Sequence, residues 1–319
     1  MTRIDKEKVI VLIGPTAVGK TNTSIELAKR FNGEIISGDS MQIYKKMDIG
    51  TAKITPEEME GVPHHLLDIK DPCETFSVAD FQQLVRKKIT EIHSRGKTPL
   101  IVGGTGLYIQ SVLYDYQFTE TPGDESYREE LEASLEKNGS EWLHDRLVSV
   151  DPVSARNIHR NNTRRVIRAL EIHHCTGKTM SEYQEEQSQE LQYEVALIGL
   201  TMDREKLYER INLRVDLMMK QGLLEEVKEL YDEGVRNVQS VQAIGYKELY
   251  DYFDGTVSLE RAIESLKQNS RRYAKRQLTW FRNKMDVAWF DMTNESQHTK
   301  NIEDISEFIA GKLQLKSNK

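Results

Sequence analysis

Cysteine is scarce in this sequence, and long apolar runs are missing from it. Two cysteines occur among 319 residues, Cys73 and Cys175, and neither belongs to a CxxC pair, so neither a disulfide framework nor a zinc finger is expected. The first apolar run, residues 9–13, is shorter than a secretion signal or a membrane span requires. We therefore expect a cytoplasmic protein with free thiols, without zinc and without a membrane anchor.

An overall excess of positive charge is also missing, since the formal net charge is -7. Local charge differs from this average. Residues 156–168 contain five arginines and no acid, and residues 271–284 contain six basic residues and no acid. One such run is often only a solvated helix face, but two of them in an acidic protein favour binding of a polyanion such as RNA.

Apolar runs alternate with amphipathic segments, a pattern typical of a parallel α/β sheet with helical crossovers. Strands are predicted at residues 9–13, 34–37, 99–102, 195–200 and 287–290, and helices at residues 20–31 and 78–94. Residues 118–192 are mostly polar and helical in character. We therefore predict a discontinuous α/β core, residues 1–117 plus 193–319, interrupted by a helical insertion domain at residues 118–192.

Residues 14–21 read GPTAVGKT and match the phosphate-loop pattern GxxxxGK[ST] between a predicted strand and a predicted helix. The backbone N–H groups of such a loop surround a phosphate, Lys20 supplies a cation, and the Thr21 hydroxyl can ligate Mg²⁺. The residues predicted to bind the polyphosphate are Gly14, Pro15, Thr16, Ala17, Val18, Gly19, Lys20 and Thr21.

The residues that follow the neighbouring strands indicate which reactions the site can catalyse. The strand at residues 99–102 ends in GGTG, without the carboxylate that phosphate-loop hydrolases commonly use to help hold their metal, so hydrolysis of a nucleotide is not the expected reaction. The strand at residues 34–37 is followed by Asp39. Because ligands bind at the carboxyl ends of parallel strands, Asp39, Thr105 and the phosphate loop should meet in one crevice. Position alone leaves Asp39 open as a metal ligand, a helix N-cap or a general base.

Four motifs in order, GPTAVGKT at 14–21, GDSMQIY at 38–44, GGTGLY at 103–108 and QAIGYKEL at 242–249, resemble the bacterial tRNA dimethylallyltransferases (tRNA isopentenyltransferases, the IPP transferase family). The resemblance extends to about residue 282. It implies a P-loop NTPase-like α/β fold whose loop holds dimethylallyl diphosphate, with Mg²⁺ as cofactor. It also implies transfer of the dimethylallyl group to N6 of adenosine 37 in tRNA, next to the anticodon, with release of diphosphate.

The expected roles follow from that reaction. The resemblance assigns Asp39 as the base for the adenine amine. Lys20 is expected to stabilise the departing diphosphate, and Thr105 is expected to donate a hydrogen bond to its bridging oxygen. Arg210 and Arg214 are four residues apart on a predicted helix, and we expect Arg214 to be the second cation at the diphosphate.

The anticodon stem-loop is expected to contact several segments. On one helix, Arg156, Arg160, Arg164 and Arg168 would form a row that favours phosphate contacts. Trp280 and Phe281 are equally compatible with stacking on bases and with a place in the core. The predicted tRNA contacts are Asp39, Ser40, Met41, Gln42, Tyr127, Arg160, Thr163, Arg164, Arg165, Val166, Ile167, Arg168, Gln242, Ala243, Ile244, Gly245, Tyr246, Lys275, Arg276, Trp280 and Arg282.

Three other functions remain open at this point. An adenylate isopentenyltransferase would alkylate free AMP or ATP, a small-molecule kinase would use the loop for ATP, and an RNA-binding module would need no chemistry at all. The basic runs and the insertion favour a macromolecular acceptor, and a monomer is expected. His64 and His65 are adjacent and lack a third ligand, so we predict a loop or core role for them instead of a metal site.

Overall fold

The computed structural model describes residues 6–118 and 123–318. The chain forms two compact units, one of Met1–Leu113 with Leu191–Lys319 and one of Tyr114–Glu190. The sequence placed these boundaries at residues 118 and 192. The larger unit is thus made from two separated stretches of chain, and the smaller unit is a helical insertion.

A six-stranded parallel sheet is the centre of the larger unit. Its strands are β1 (Lys8–Ile13), β2 (Gly33–Ser37), β3 (His64–His65), β4 (Thr98–Gly103), β5 (Glu194–Thr201) and β6 (Ala288–Asp291), in the spatial order β3-β2-β4-β1-β5-β6. β1 lies between β4 and β5, with Val11 opposite Ile101 and Leu197. Helices cover such a sheet on both faces, which explains why β1 is apolar along most of its length. The predicted parallel α/β fold is confirmed.

Within residues 6–118 and 123–318, twelve α-helices surround the strands or form the insertion. They are α1 (Lys20–Arg30), α2 (Val78–Ser94), α3 (Gly106–Leu113), α4 (Glu125–Val150), α5 (Pro152–Asn157), α6 (Thr163–Thr176), α7 (Met180–Glu185), α8 (Arg204–Lys220), α9 (Leu223–Asp232), α10 (Tyr246–Phe253), α11 (Leu259–Lys284) and α12 (His298–Leu313). In the described ranges 6–118 and 123–318, no helix combines the length and hydropathy needed to cross a bilayer.

The core of the larger unit joins the sheet to α1, α8 and α12. Ile10, Leu12 and Ile198 of the central strands are fully buried, together with Leu27 of α1 and Ile305 of α12. Burying such a side chain contributes roughly 1.5–3 kcal/mol each. These contacts fix α1, and with it the phosphate loop that precedes it, against the sheet.

The smaller unit has its own core, in which Leu131, Leu143 and Leu147 of α4 pack against Val166 and Leu170 of α6. α4 is interrupted at Gly139, whose φ of 81° is outside the helical region and favours glycine because a Cβ is disfavoured there.

The predicted single row of arginines in this unit is interrupted. Arg156 lies in α5, which ends at the extended residue Ile158, whereas Arg164 and Arg168 lie in α6. Arg160 lies in the connection between the two helices and forms an ion pair with Glu141. A spacing of four residues aligns side chains only within one continuous helix, so the four arginines do not share a face.

Candidate active site

The phosphate loop, residues 14–21, connects β1 to α1 as predicted. Gly19 has a φ of 102°, a left-handed conformation that glycine adopts without strain. A Cβ on Gly14 would lie 2.8 Å from the Leu200 carbonyl oxygen, so β5 leaves no space for a side chain there. Val18 is 1% exposed and anchors the loop in the core. The loop therefore presents its backbone at the N-terminus of α1, where anions bind well.

Lys20 is folded back onto the loop. Its Nζ donates hydrogen bonds to the carbonyl oxygens of Gly14 at 2.9 Å and Pro15 at 2.7 Å. Burial, and then the positive charge of Arg214, lower the pKa of Lys20 to about 7, while Asp39 acts in the opposite direction. An amine held by neutral carbonyls beside another cation favours the arrival of an anion.

Arg214 of α8 supplies that second cation. Burial lowers its pKa, and the negative charge of Asp39 opposes this effect. Arg210, one turn earlier, faces Glu295 at 3.4 Å. Both arginines border the cavity that contains the loop. Arg214 also borders the second cavity described below and lies close enough to Lys20 to lower its pKa, so it is better placed than the paired Arg210 for an anion held by the loop.

Asp39 follows β2 in a turn and not at the start of a helix, so the N-cap interpretation is wrong. Its Oδ1 accepts a hydrogen bond from the Met41 N–H at 2.8 Å. The carboxylate borders both cavities and lies close enough to Lys20, Arg214 and Tyr273 to change the pKa of each. It is the acidic group at the centre of this site.

Thr105 lies at the end of β4, as the motif predicts. Its hydroxyl is buried and forms no hydrogen bond of ordinary geometry within the described residues, although the Tyr273 hydroxyl lies beside it. A buried hydroxyl without a good partner costs free energy, on the order of 1–3 kcal/mol. Thr105 borders neither of the cavities described below, so its hydrogen bond to a ligand stays a prediction.

Two side chains of α11 complete the site and were not predicted as site residues. Gln277 Oε1 accepts a hydrogen bond from the Thr16 N–H at 3.0 Å, and its Nε2 donates to the Gly104 carbonyl oxygen at 3.1 Å. Burial, followed by the charge of Asp39, raises the pKa of Tyr273 to about 12, so its hydroxyl stays protonated. The available signal was the spacing of Tyr273 and Gln277, which places both on one face of a helix.

Glycines after β4 allow α11 to approach closely. A Cβ on Gly104 would lie 2.0 Å from Gln277 Nε2, and one on Gly106 would lie 2.2 Å from the Trp280 ring. Trp280 therefore packs against this turn, and Phe281 is fully buried. Of the two interpretations left open for this pair, stacking on bases or a place in the core, Phe281 fits the core. Much of Trp280 is also packed in the core.

Two cavities meet around Asp39. The large cavity, of about 740 Å³, extends from the phosphate loop past Asp39 to α8, with Lys20, Thr21 and Arg214 in its wall. The small cavity, of about 310 Å³, also reaches Asp39 and has an apolar wall. Sizes of this order suit small ligands. The apolar wall includes Met41, Ile211, Val215, Met218, Leu223, Ile244 and Leu266.

A magnesium ion fits this site only if it is shared with a ligand. Across residues 6–118 and 123–318, no three His, Cys, Asp or Glu side chains are grouped as a metal cage. The exposed Thr21 side chain and the Asp39 carboxylate face the large cavity. Mg²⁺ is commonly bound by one or two protein oxygens together with substrate phosphates and water. Thr21 and Asp39 together offer that small number of protein oxygens.

The predicted tRNA contacts of the larger unit lie in different environments. Ser40 and Met41 border the small cavity, and Gln42 borders the large one. Gln242, Ala243, Ile244 and Gly245 also border the small cavity. Lys275, Arg276 and Arg282 are exposed on α11. Tyr246 is fully buried, so its side chain is part of the core and does not face solvent.

In the smaller unit, Arg164 and Arg165 are exposed in the first turn of α6, and Thr163 beside them is half-buried. Val166 and Ile167 are 0% and 5% exposed and belong to the core, so their side chains are not available to RNA.

The remaining predicted contacts of the smaller unit already have partners. Arg168 forms an ion pair with the buried Glu171 at 2.7 Å. The Tyr127 ring stacks on His174 with centroids 3.9 Å apart.

Comparison with known proteins identifies relatives over the whole chain. A tRNA dimethylallyltransferase of Geobacillus kaustophilus (strain HTA426) is 65% identical over 312 residues, which is 98% of this chain and 99% of that protein. A tRNA dimethylallyltransferase of Bacillus licheniformis is 68% identical over 310 residues, 97% of this chain and 99% of that protein.

Solved structures give the same result. The full-length tRNA isopentenylpyrophosphate transferase of Bacillus halodurans is 60% identical, with 97% of each chain covered and a TM-score of 0.74. A eukaryotic dimethylallyltransferase acting on tRNA is 36% identical, covering 93% of this chain and 77% of that one, with a TM-score of 0.79. The family model described as IPP transferase matches residues 42–284. The chain belongs to the IPP transferase family.

Proposed function

We propose that this protein is a tRNA dimethylallyltransferase. It transfers the dimethylallyl group of dimethylallyl diphosphate to N6 of adenosine 37 in tRNA, giving N6-(dimethylallyl)adenosine and diphosphate. The observation that carries the proposal is that one cavity holds a phosphate loop, two half-buried basic side chains, Lys20 and Arg214, and the Asp39 carboxylate. A cation cluster for a leaving diphosphate thus lies beside a base for the incoming nitrogen.

The basic side chains help the diphosphate to leave. The loop N–H groups, Lys20 and Arg214 stabilise negative charge that grows as the allylic C–O bond breaks. The buried Thr105 hydroxyl donates a hydrogen bond to the bridging oxygen. Thr21 and Asp39 would hold Mg²⁺ together with the diphosphate, and the ion would supply further positive charge to stabilise the leaving group.

The small cavity suits the rest of the reaction. Its apolar side chains, among them Ile211, Val215 and Leu223, surround the five-carbon chain and keep water from the allylic cation. Adenine N6 is a weak nucleophile whose proton becomes acidic as the C–N bond forms. Asp39 borders this cavity and accepts that proton.

Adenosine 37 must leave its stack to reach Asp39. Residues 39–42 and 242–245 border the cavities and form the pocket for the base. Exposed cations, including Arg164, Arg165, Lys275 and Arg276, contact the phosphates of the anticodon stem-loop. We also propose that the protein acts as a monomer and that the reaction needs no zinc. The reaction takes place in the cytoplasm, where tRNA is found.

A label-transfer assay tests the proposal. The protein is incubated with Mg²⁺ and dimethylallyl diphosphate labelled in the prenyl group, and with tRNA, AMP or no acceptor. We expect label on tRNA, and digestion of the RNA should yield one labelled nucleoside, N6-(dimethylallyl)adenosine. Label on AMP but not tRNA would instead identify an adenylate isopentenyltransferase. Absence of transfer to either acceptor would overturn the proposed chemistry.

The kinase alternative is tested in the same preparation with ATP labelled in the γ-phosphate. We expect no transfer of that phosphate to a small-molecule acceptor. An acceptor phosphorylated at a rate comparable to prenyl transfer would make kinase activity the better conclusion.

A further inference from the structure

A turn that we call the cleft loop, residues 48–52, borders both cavities next to Asp39. Its backbone is held from outside by one carboxylate, that of Glu226 in the first turn of α9. Glu226 Oε2 accepts hydrogen bonds from the N–H groups of Asp48 at 2.8 Å and Ile49 at 2.7 Å. Glu226 Oε1 accepts one from the Gly50 N–H at 3.0 Å.

A fourth donor completes the coordination of Glu226. The Tyr246 hydroxyl donates to Glu226 Oε1 at 2.5 Å. Burial and the charge of Glu226 raise the pKa of Tyr246, so the hydroxyl remains a donor. The hydroxyl end of the Tyr246 ring lies against the cleft loop, since a Cβ on Gly50 would be 2.5 Å from the ring.

Only an ionised carboxylate satisfies these four donors. Two carboxylate oxygens offer about four acceptor positions, whereas a glutamine has one acceptor oxygen and an NH₂ group that only donates. Three successive backbone N–H groups around one anion also form an arrangement that favours negative charge. In Glu226→Gln, the side-chain NH₂ group would replace one carboxylate oxygen. It would then face N–H or O–H donors of the cleft loop or Tyr246 and could not accept their hydrogen bonds.

The cleft loop in turn holds the segment that carries Asp39. Gln42 Nε2 donates to the carbonyl oxygens of Thr51 and Ala52, both at 3.2 Å. Gln42 Oε1 accepts a hydrogen bond from Ser37 Oγ at 2.9 Å. Ser37 and Gln42 flank the turn in which Asp39 accepts the Met41 N–H. A continuous set of hydrogen bonds thus runs from Glu226 to the residues on both sides of Asp39.

We infer that Glu226, with Tyr246, is a positioning residue that fixes the cleft loop and through it the Asp39 turn for proton transfer. The inference rests on the proposed function, because it assigns Asp39 as the base. Glu226 does not border either cavity and does not touch the substrates. Its loss should therefore slow the chemical step while the phosphate loop keeps its affinity for the diphosphate.

The experiment compares Glu226→Gln and Tyr246→Phe with wild type and with Glu225→Gln. Glu225 is an exposed acid in the same turn of α9 and controls for the lost charge. Steady-state kinetics with tRNA and dimethylallyl diphosphate give kcat and both KM values, and thermal unfolding and circular dichroism verify folding. Hydrogen–deuterium exchange of residues 48–50 is measured without substrates.

We expect kcat of Glu226→Gln to fall on the order of 10²-fold, the size of effect that a misplacement of about 1 Å can have. The KM for dimethylallyl diphosphate should stay within about threefold, since the loop cations are intact. Tyr246→Phe keeps the three N–H contacts and should lose less than tenfold in kcat, about the value of one hydrogen bond. Exchange of the three amides should be faster in Glu226→Gln.

A folded Glu226→Gln variant with kcat within threefold of wild type would overturn the inference, as would an equal loss in Glu225→Gln. A raised KM for the diphosphate substrate at unchanged kcat would also overturn it, because it would indicate substrate binding. Unchanged amide exchange would remove the structural premise. Failure of wild type to prenylate tRNA would instead refute the proposed function, and the exchange measurement does not depend on that outcome.

Discussion

At the scale of single residues, the proposed reaction requires two tasks of the one Asp39 carboxylate. Oδ1 closes a turn with the Met41 N–H, which leaves the other oxygen for the proton of the adenine amine. Asp39→Asn keeps an acceptor for the turn and removes the base. We expect kcat to fall by about 10²–10⁴-fold, with the KM for tRNA within about threefold. Single-turnover kinetics would check this, and a rate within threefold of wild type would show that another group takes the proton.

Lys20 gives a prediction of pH dependence. Its pKa is about 7 in the free protein, and a bound diphosphate favours the charged form and raises that pKa. Binding should therefore take up a proton, and affinity should be highest below pH 7 and decline as pH rises above it. Calorimetry with diphosphate in EDTA, in buffers of different ionisation enthalpy, measures this uptake. Lys20→Met should reduce the uptake, because only the share due to the ionisation of diphosphate itself would remain, and the same uptake in that variant would exclude Lys20 as a source.

Residues on local motifs were predictable, and residues brought in from a distance were not. The phosphate loop, Asp39 and Thr105 adjoin strands whose ends meet by the rules of parallel sheets. Gln277 contacts Thr16 across 261 positions of sequence, and no local pattern indicates such a contact. Tyr246 illustrates a different limit, because a family motif marks the residue without saying whether its side chain faces RNA or the core.

At the scale of elements, α11 connects the phosphate loop to the turn after β4 through Gln277. Gln277→Leu keeps the size of the side chain but leaves the Thr16 N–H and the Gly104 carbonyl without this partner. We expect the free energy of unfolding to fall by about 1–3 kcal/mol for each buried group left unpaired, and turnover to fall with it. Denaturant unfolding measures the change. Gln268→Leu, at an exposed position of α11, should change stability by less than about 0.5 kcal/mol.

Boundaries of helices and strands were predicted accurately where the local sequence contains a clear start or stop signal. The prediction for residues 78–94 matches α2. Its start is marked by a capping box, in which Ser77 is the N-cap residue and Asp80 lies in the first turn. The two-residue β3 has too short a pattern to be seen, and its pairing with β2 supplies the structure. The arginine run was assigned to one helix because its spacing is helical, but the chain turns at Ile158. Charged residues say little about where a helix stops.

At the scale of the whole molecule, we expect this acidic protein to bind tRNA through locally basic surfaces. The exposed Arg164 and Arg165 of α6 are the clearest test. The double variant Arg164→Ala/Arg165→Ala should raise the KM for tRNA about tenfold or more, and leave the KM for dimethylallyl diphosphate unchanged. The dependence of tRNA affinity on salt should also become weaker, by about one unit of slope for each lost phosphate contact.

Lys137→Ala is the control, because Lys137 is an exposed cation of the same unit outside the basic run. It should leave both the KM for tRNA and the salt dependence near their wild-type values. If it weakens tRNA binding as much as the double variant does, total charge and not the α6 surface would determine affinity.

The order of the sheet also affects how the protein forms during synthesis. β1 and the phosphate loop are made before the insertion, but the strand on one side of β1 is β5, which follows the entire insertion in sequence. Domains fold as they emerge, at roughly 5–20 residues per second, so the insertion with its own core can fold while β1 still has an open edge. α8 and α11, which carry Arg214 and Gln277, emerge later still. The nascent chain therefore exposes its phosphate loop before the complete site for the diphosphate can form, since that site needs β5, α8 and α11.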